Sequence, residues 1–276
     1  MIPALSTRLA EPAGRKDSAL LSLSEFARLA KGLGYQALSM RASQLSVDTP
    51  ADEVAGAKRL LDEIGLVVSM VTGTVSLAAN DTRATEPLRN ITPHLDLAER
   101  LGSKLVRVMM QREDDIPWAR SAAAEAGERG MKLAHQTHIG TLFEKVDSAL
   151  AVLRQIDSQH FGVTYEPSNL LVCGSEWGRE AIERLAPHIV NVYLQNWGLN
   201  PDGALTLQLT GGTVRGDQIA LDDTRGVDYT QVFDGLRRIG WTGYVTVHQA
   251  LMPGEEVREA AARHMAALKH FLSPAA

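Results

Sequence analysis

The chain has 276 residues, a net charge of -5, 45% hydrophobic and 22% charged residues, and a single cysteine. This is the composition of a globular protein with a sizeable buried core, and the acidic balance, with no basic stripe, removes the electrostatic case for nucleic acid or an anionic membrane. Cys173 alone allows no internal disulfide, no apolar run approaches the roughly 20 residues of a bilayer span, and residues 1–5 lack the charged and apolar regions of a secretion signal. A cytoplasmic protein is expected.

Residues 2–6 read as a strand, followed by a helix over 22–33 that Ser22 or Ser24 can cap and Gly34 can close. A strand at 37–40 precedes a helix at 51–64, with Asp52 and Glu53 in its first turn beside Pro50 and Gly65 past its end. The same grammar continues with strand 67–71, helix 85–101 and Gly102, then strand 105–109, helix 118–127 and Gly130. Strand 132–136 leads to helix 142–156, and strand 161–165 to helix 175–185. Strand 189–194 is joined to helix 229–239 and Gly240, and strand 244–248 to helix 257–271. Eight strand–helix units fit the roughly 250 residues of a closed (β/α)8 TIM barrel, an α/β fold expected here as a single domain over 1–276.

One connection breaks the rhythm. From 195 to 228 the chain passes through Asn200-Pro201-Asp202-Gly203 and Gly211-Gly212 without clear periodicity. Ordered loops beyond about 12–15 residues are uncommon unless they serve a purpose such as covering a site. This one follows the seventh strand, so it lies on the catalytic face, with short β-structure expected near 204–210.

Alternate residues of a barrel strand point inward, and the last ones reach the catalytic mouth. The sixth strand places Gly162, Thr164 and Glu166 on one phase, the seventh Asn191, Tyr193 and Gln195, and the eighth Thr246 and His248. The fifth ends in Gln136 and His138 on one phase and His135 on the other, which reads as structural. A purely structural interior would carry Val, Ile and Leu, so four consecutive polar strand ends are the main functional signal. Glu166 is either a site residue or half of an ion pair, with Arg107 of the fourth strand as its partner. Arg107 reads equally as an anion contact, and Tyr193 and Gln195 as substrate contacts or as filling for the mouth. Cys173 reads as a small hydrophobe, and His94, His160, His188, His264 and His270 as surface or capping residues.

Gly226-Val-Asp-Tyr-Thr-Gln-Val-Phe-Asp-Gly-Leu-Arg-Arg-Ile-Gly-Trp-Thr-Gly-Tyr-Val-Thr-Val-His248 resembles the closing unit of the xylose isomerase-like TIM barrels, the family of sugar isomerases, sugar-phosphate epimerases, inosose dehydratases and endonuclease IV. Phe161-Gly-Val-Thr-Tyr-Glu-Pro-Ser-Asn169, Val190-Asn-Val-Tyr-Leu-Gln-Asn196 and Leu133-Ala-His-Gln-Thr-His138 resemble its sixth, seventh and fifth strand ends. The resemblance implies a divalent ion held at Gln136, Glu166, Tyr193 and His248, of which only Glu166 keeps the family's usual chemistry; Gln195 is a substitute oxygen donor. A site built on Gln136, Glu166 and His248 suits Mn²⁺ or Zn²⁺ better than Mg²⁺, because imidazole prefers those ions. Asp217, Asp222 and Asp223 of the long loop are candidates for a missing carboxylate.

Gln136 cannot accept a proton near neutral pH, which blocks a two-glutamate epimerisation scheme, whereas the reference pKa of His248, about 6.5, suits proton transfer. The implied activity is a metal-assisted proton transfer next to the carbonyl of a small carbohydrate or keto-sugar, giving isomerisation or epimerisation, with His248, Glu166 and His138 as the catalytic set. Elimination on a 3-keto-glycoside by a dehydratase or lyase is the close alternative. A non-catalytic sugar-binding barrel or partner subunit is the alternative of another class, and self-association is left open.

Overall fold

The computed structural model describes residues 1–273. Its strands are β1 (Ile2–Ser6), β2 (Ala37–Arg41), β3 (Val67–Thr72), β4 (Leu105–Val108), β5 (Lys132–Gln136), β6 (Phe161–Tyr165), β7 (Ile189–Leu194), β8 (Trp197–Leu199), β9 (Leu205–Leu209), β10 (Gly212–Gln218) and β11 (Tyr244–Val247). Eight of them close into a barrel in the order β1-β11-β7-β6-β5-β4-β3-β2, all parallel, with Ile2 opposite Tyr244 where the first strand meets the last. The (β/α)8 barrel expected from the repeating units is therefore the fold.

The helices are α1 (Leu23–Leu33), α2 (Ala51–Ile64), α3 (Val75–Ala79), α4 (Thr92–Arg100), α5 (Ile116–Glu128), α6 (Val146–Ile156), α7 (Pro167–Val172), α8 (Arg179–Leu185), α9 (Tyr229–Arg238) and α10 (Val257–Leu272). Val163, Val192, Val245 and Val247 belong to one extended apolar core together with Phe26, Leu61, Leu153 and Phe233 of the helices. That layer holds the strands in place from outside. Inside the barrel a separate small cluster, Met70, Leu105, Ala134 and Tyr193, carries the polar mouth above it.

Local chemistry sets the boundaries. Ser22 and Glu25 form a reciprocal capping box on α1, and Gly34, at φ 103°, closes it in the left-handed conformation that favours glycine. The single helix expected over 85–101 is instead a 3-10 turn at Glu86–Arg89 followed by α4, because Pro93 is tolerated only in a first helical turn. α6 and α8 start later than expected, and α3 and α7 were not anticipated. His94 and His264, expected at the surface, are 4% and 1% exposed. His94 packs over Gly73, where a Cβ would approach the imidazole Nδ1 to 2.6 Å.

The long connection after β7 folds into a three-stranded antiparallel sheet of order β8-β10-β9. It hangs over the barrel mouth, tied to the loop after β5 by Glu144 and stitched within itself by Asp217. Glu144 Oε1 accepts from the backbone N–H of Gly140 (2.5 Å) and of Thr210 (2.7 Å) at the hairpin tip. Asp217 accepts from Asn200 Nδ2 and from the Ala204 N–H, both at 2.8 Å, and stitches the hairpin base. The backbones cross closely there: a Cβ at Gly216 would meet the Gly198 carbonyl at 2.6 Å, and one at Gly203 would meet Gly216 at the same distance. Gly216→Ala is thus expected to pry the sheet off the mouth and leave the barrel intact. Limited proteolysis within 204–218 should accelerate roughly tenfold or more while the barrel's Tm moves by less than about 2 °C; unchanged cleavage would show that the sheet does not depend on this crossing.

Candidate active site

The ends of the barrel strands and the hairpin enclose a cavity of about 470 Å³. It contains the polar groups expected on the fifth, seventh and eighth strands, Gln136, His138, Gln195 and His248, and also Arg8, Lys16, Arg41, Asn80 and Arg107. Leu207 and Gln208 of the hairpin roof it, beside Trp197.

Glu166, just past β6, is fully buried beneath this floor. It caps α7, taking the Asn169 N–H on Oε1 at 3.2 Å, while Pro167 starts the helix at a position needing no donor. Its Oε2 accepts from Gln136 Nε2 (2.9 Å), Gln195 Nε2 (3.0 Å) and Asn169 Nδ2. Burial pushes its pKa up to about 8, against the pull of those amides and of Arg8. The ion pair with Arg107 considered from the sequence does not form; the partners of Glu166 are amides.

Hydrogen-bond polarity fixes two chains. Arg8 Nη1 donates to Gln195 Oε1 at 2.7 Å and to the His248 carbonyl at 3.2 Å, so the Gln195 amide nitrogen must face Glu166. On the other side Arg107 donates to the Leu77 carbonyl (2.5 Å) and to Asn80 Oδ1. Asn80 Nδ2 then faces His138 Nε2 at 3.2 Å, and His138 Nδ1 lies 2.8 Å from the Ile139 carbonyl. Because arginine only donates, the chain assigns the Nδ1–H tautomer to His138 and occupies both its nitrogens. Asn80, at φ 56°, ends α3 in the left-handed region and thereby reaches both partners.

His248 is held differently. Its Nδ1 meets Ser6 Oγ at 3.0 Å and its ring stacks on Tyr193 at 3.9 Å. Among the described residues Nε2 has no protein partner, and His248 lines the cavity. Burial first, then Arg8, Arg41, Arg107 and Lys16, drive its pKa well below the usual range, so the reference value used for the sequence does not apply. His138 is lowered to about 3 by burial and Arg107. Tyr193, expected to touch substrate, has no exposed surface; its hydroxyl bonds Ser39 at 2.7 Å and its ring supports His248. His135 is structural as expected, stacked on Phe143 at 4.0 Å.

The residues do not fit a divalent cation. Among the described residues no group of three or more His, Cys, Asp or Glu gathers as a metal would require. The one carboxylate of the expected set has its oxygens committed to N–H donors, and Gln136 directs its amide nitrogen, not its oxygen, at Glu166. Arg8, Arg41, Arg107 and Lys16 surround the remaining neutral donors with positive charge. The loop acids do not supply the missing ligand: Asp217 stitches the hairpin, Asp222 is exposed and Asp223 pairs with Arg225.

Fold and site together define a barrel with a polar, cation-rich cleft at the carboxyl ends of its strands. The family model described as xylose isomerase-like TIM barrel matches residues 27–268, and the chain belongs to that family. No curated protein matches the sequence. Among solved structures it is similar to a xylose isomerase-like TIM barrel protein from Mycobacterium smegmatis in complex with magnesium, at TM-score 0.71 and 17% identity over 98% of this chain and 96% of that one. It is similar also to the probable 3-DHS dehydratase AsbF involved in petrobactin synthesis from Bacillus anthracis (TM-score 0.70, 15% identity, 98% and 99% covered). A D-psicose 3-epimerase solved in the presence of D-fructose superposes with TM-score 0.69 at 12% identity, each chain 99% covered. At these identities the likeness is one of fold. No helix among the described residues is long and apolar enough to cross a membrane.

Two expectations follow. Protein purified without chelator should carry under ~0.1 equivalent of Mn²⁺ or Zn²⁺ and show a thermal shift below about 1 °C on adding either; stoichiometric metal would overturn this account of the donors. The second concerns pH. His94, His135, His138 and His264 are lowered to about 4, 3, 3 and 4, and His248 lower than usual, mainly by burial. The unfolded chain therefore binds more protons as pH falls below about 6.5, and each histidine withdraws up to about 2 kcal/mol of stability by pH 5. Glu166 opposes them, since its folded-state proton is held up to about 8 and its contribution grows as pH falls toward 4.5. Five imidazoles outweigh one carboxyl, so urea unfolding should show a loss of at least ~3 kcal/mol from pH 7 to pH 5. A flat or rising profile would contradict neutral burial of these rings.

Proposed function

We propose that this barrel catalyses proton transfer at a carbon next to the carbonyl of a small polyhydroxylated substrate, with His248 as the proton carrier. The observation that carries the reading is an unprotonated imidazole whose Nε2 is unpartnered and faces the cavity beside the Arg8 guanidinium. In the reaction Nε2 removes the carbon-bound proton, and the electron pair forms an enediolate whose oxygen is stabilised by the fixed positive charge of Arg8. In this role Nδ1–H donates to Ser6 Oγ, leaving the Nε2 lone pair free, and Tyr193 holds the ring's plane. Glu166 and His138 are positioning residues: Glu166 holds the amides of Gln136, Gln195 and Asn169, and His138 anchors Asn80 against Arg107. Gln195 presents Arg8, and the hairpin excludes water.

Isomerisation and β-elimination share this first step and differ in the second. In isomerisation the hydroxyl proton passes between the two enediolate oxygens and the imidazolium returns its proton to the neighbouring carbon; in elimination the imidazolium protonates a departing β-hydroxyl, which leaves as water. Epimerisation through opposite faces needs two proton carriers, and both nitrogens of His138 are engaged. The single open imidazole therefore favours isomerisation or elimination. The magnesium-bound and epimerase relatives support the reaction class and not the manner of charge stabilisation.

Mass measurement of solvent deuterium entering a panel of keto-sugars and their acid and phosphate derivatives tests the reading whatever the product. The wild-type protein should label at least one of them, and His248→Gln should slow labelling by a factor of ~100 or more with less than a fivefold change in substrate affinity. No exchange into any panel member would leave a binding barrel, and full exchange by the variant would remove His248 from the chemistry.

A further inference from the structure

The charges around the cavity do not balance. Arg8, Lys16, Arg41 and Arg107 line it, and the carboxylates close to them are Glu11 and Glu166. Glu11 is already shared: Arg41 grips it through Nε at 2.6 Å and Nη2 at 3.1 Å, and Lys16 pairs with it at 3.2 Å. Arg8 and Arg107 have no ion-pair partner among the described residues. Arg8 meets only an amide oxygen and a backbone carbonyl. Arg107 is 2% exposed and lines the cavity; its Nη1 and Nη2 donate to the Leu77 carbonyl and Asn80 Oδ1, both uncharged, and its Nε–H has no hydrogen-bond partner. Burial brings both guanidiniums down to about 10, which still leaves them cationic at neutral pH. A guanidinium buried without a counter-ion is unfavourable, and a fork with an open donor fits a carboxylate or phosphate oxygen.

We propose that the cavity is built for an anionic substrate, a polyhydroxylated carbonyl compound bearing a carboxylate or phosphate group, and that Arg107 and Arg8, with Lys16, bind that group. This substrate class rests on the proton-transfer reading above for its carbonyl, and on charge alone for its anion.

Titration calorimetry on the full chain, without turnover, is the test. Inorganic phosphate and D-gluconate are the anionic probes and sorbitol is the neutral one. At least one anion should bind ~30-fold or more tightly than sorbitol, and the tighter of the two identifies a phosphate or a carboxylate as the group recognised. Arg107→Gln should weaken the anion at least ~10-fold, with unchanged circular dichroism, and leave sorbitol unaffected. Raising NaCl should weaken the anion as well. Anions that bind no better than sorbitol to the wild-type protein overturn the proposal without recourse to any variant. Deuterium exchange into neutral keto-sugars together with absent anion binding would sink the anion site alone. Anion binding without exchange into any carbonyl compound would sustain the site and sink the chemistry.

Discussion

A carboxylate with no exposed surface organises the mouth of this barrel. Glu166 gathers N–H donors from β5, from the segment after β7 and from its own helix start, and so fixes three amide side chains at once. Removing it would leave those donors without an acceptor in a region where each unmade bond costs about 1–3 kcal/mol. The Gln195 amide, oriented by Glu166, offers its oxygen to Arg8 and thereby sets a cation at the centre of the cleft. The position of the positive charge is thus a consequence of one buried carboxyl group two hydrogen bonds away.

That arrangement alters what the family's usual residue positions can do. A glutamate at 136 would place a second carboxylate against Glu166, which a bound cation could reconcile; a glutamine donates to Glu166 and makes the cation unnecessary. In the proposed reaction Arg8, a guanidinium, takes the charge-stabilising role. A guanidinium is fixed in place by two acceptors and needs no dedicated ligand set. Burial first, and then the surrounding cations, keep the His248 imidazole neutral, while His138 is tied at both nitrogens.

The barrel was legible in the sequence because its signals are local: short apolar runs, helix caps and glycines just past helix ends. β1, β5, β6 and β7 fall where alternation places them, while the helix over 85–101 was misjudged because Pro93 matters more than hydrophobic spacing. The strand-end rule picks out Gln136, Gln195 and His248, which line the cavity, and Glu166, which lies buried beneath it. Applied with the same phase to the first two strands, it would have continued from Ser6 to Arg8 and from Ser39 to Arg41, both of which line the cavity. Lys16 and Asn80 were out of reach, since they arrive on loops after β1 and β3 whose paths depend on tertiary contacts. The depth of Tyr193 was also hidden: phase predicts which way a side chain points and not how many layers lie above it. His94 and His264 were misplaced for a related reason, because a helix position alone does not show which neighbour leaves room for a ring, as Gly73 does for His94.

The hairpin connects these features to access. Its roof residues Leu207 and Gln208 sit opposite the cations, and its tip is held by Glu144, which also binds the Gly140 N–H immediately after His138 and Ile139. One carboxylate therefore joins the lid to the loop that carries His138, one end of the Arg107–Asn80–His138 chain. Excluding water lowers the effective dielectric around Arg8 and His248, and both the attraction for an anion and the stabilisation of an enediolate strengthen together as a consequence. The Arg107 guanidinium without an ion pair and the open His248 nitrogen line the same small volume under the hairpin, so on the proposed reading charge, lid and proton carrier act within one site.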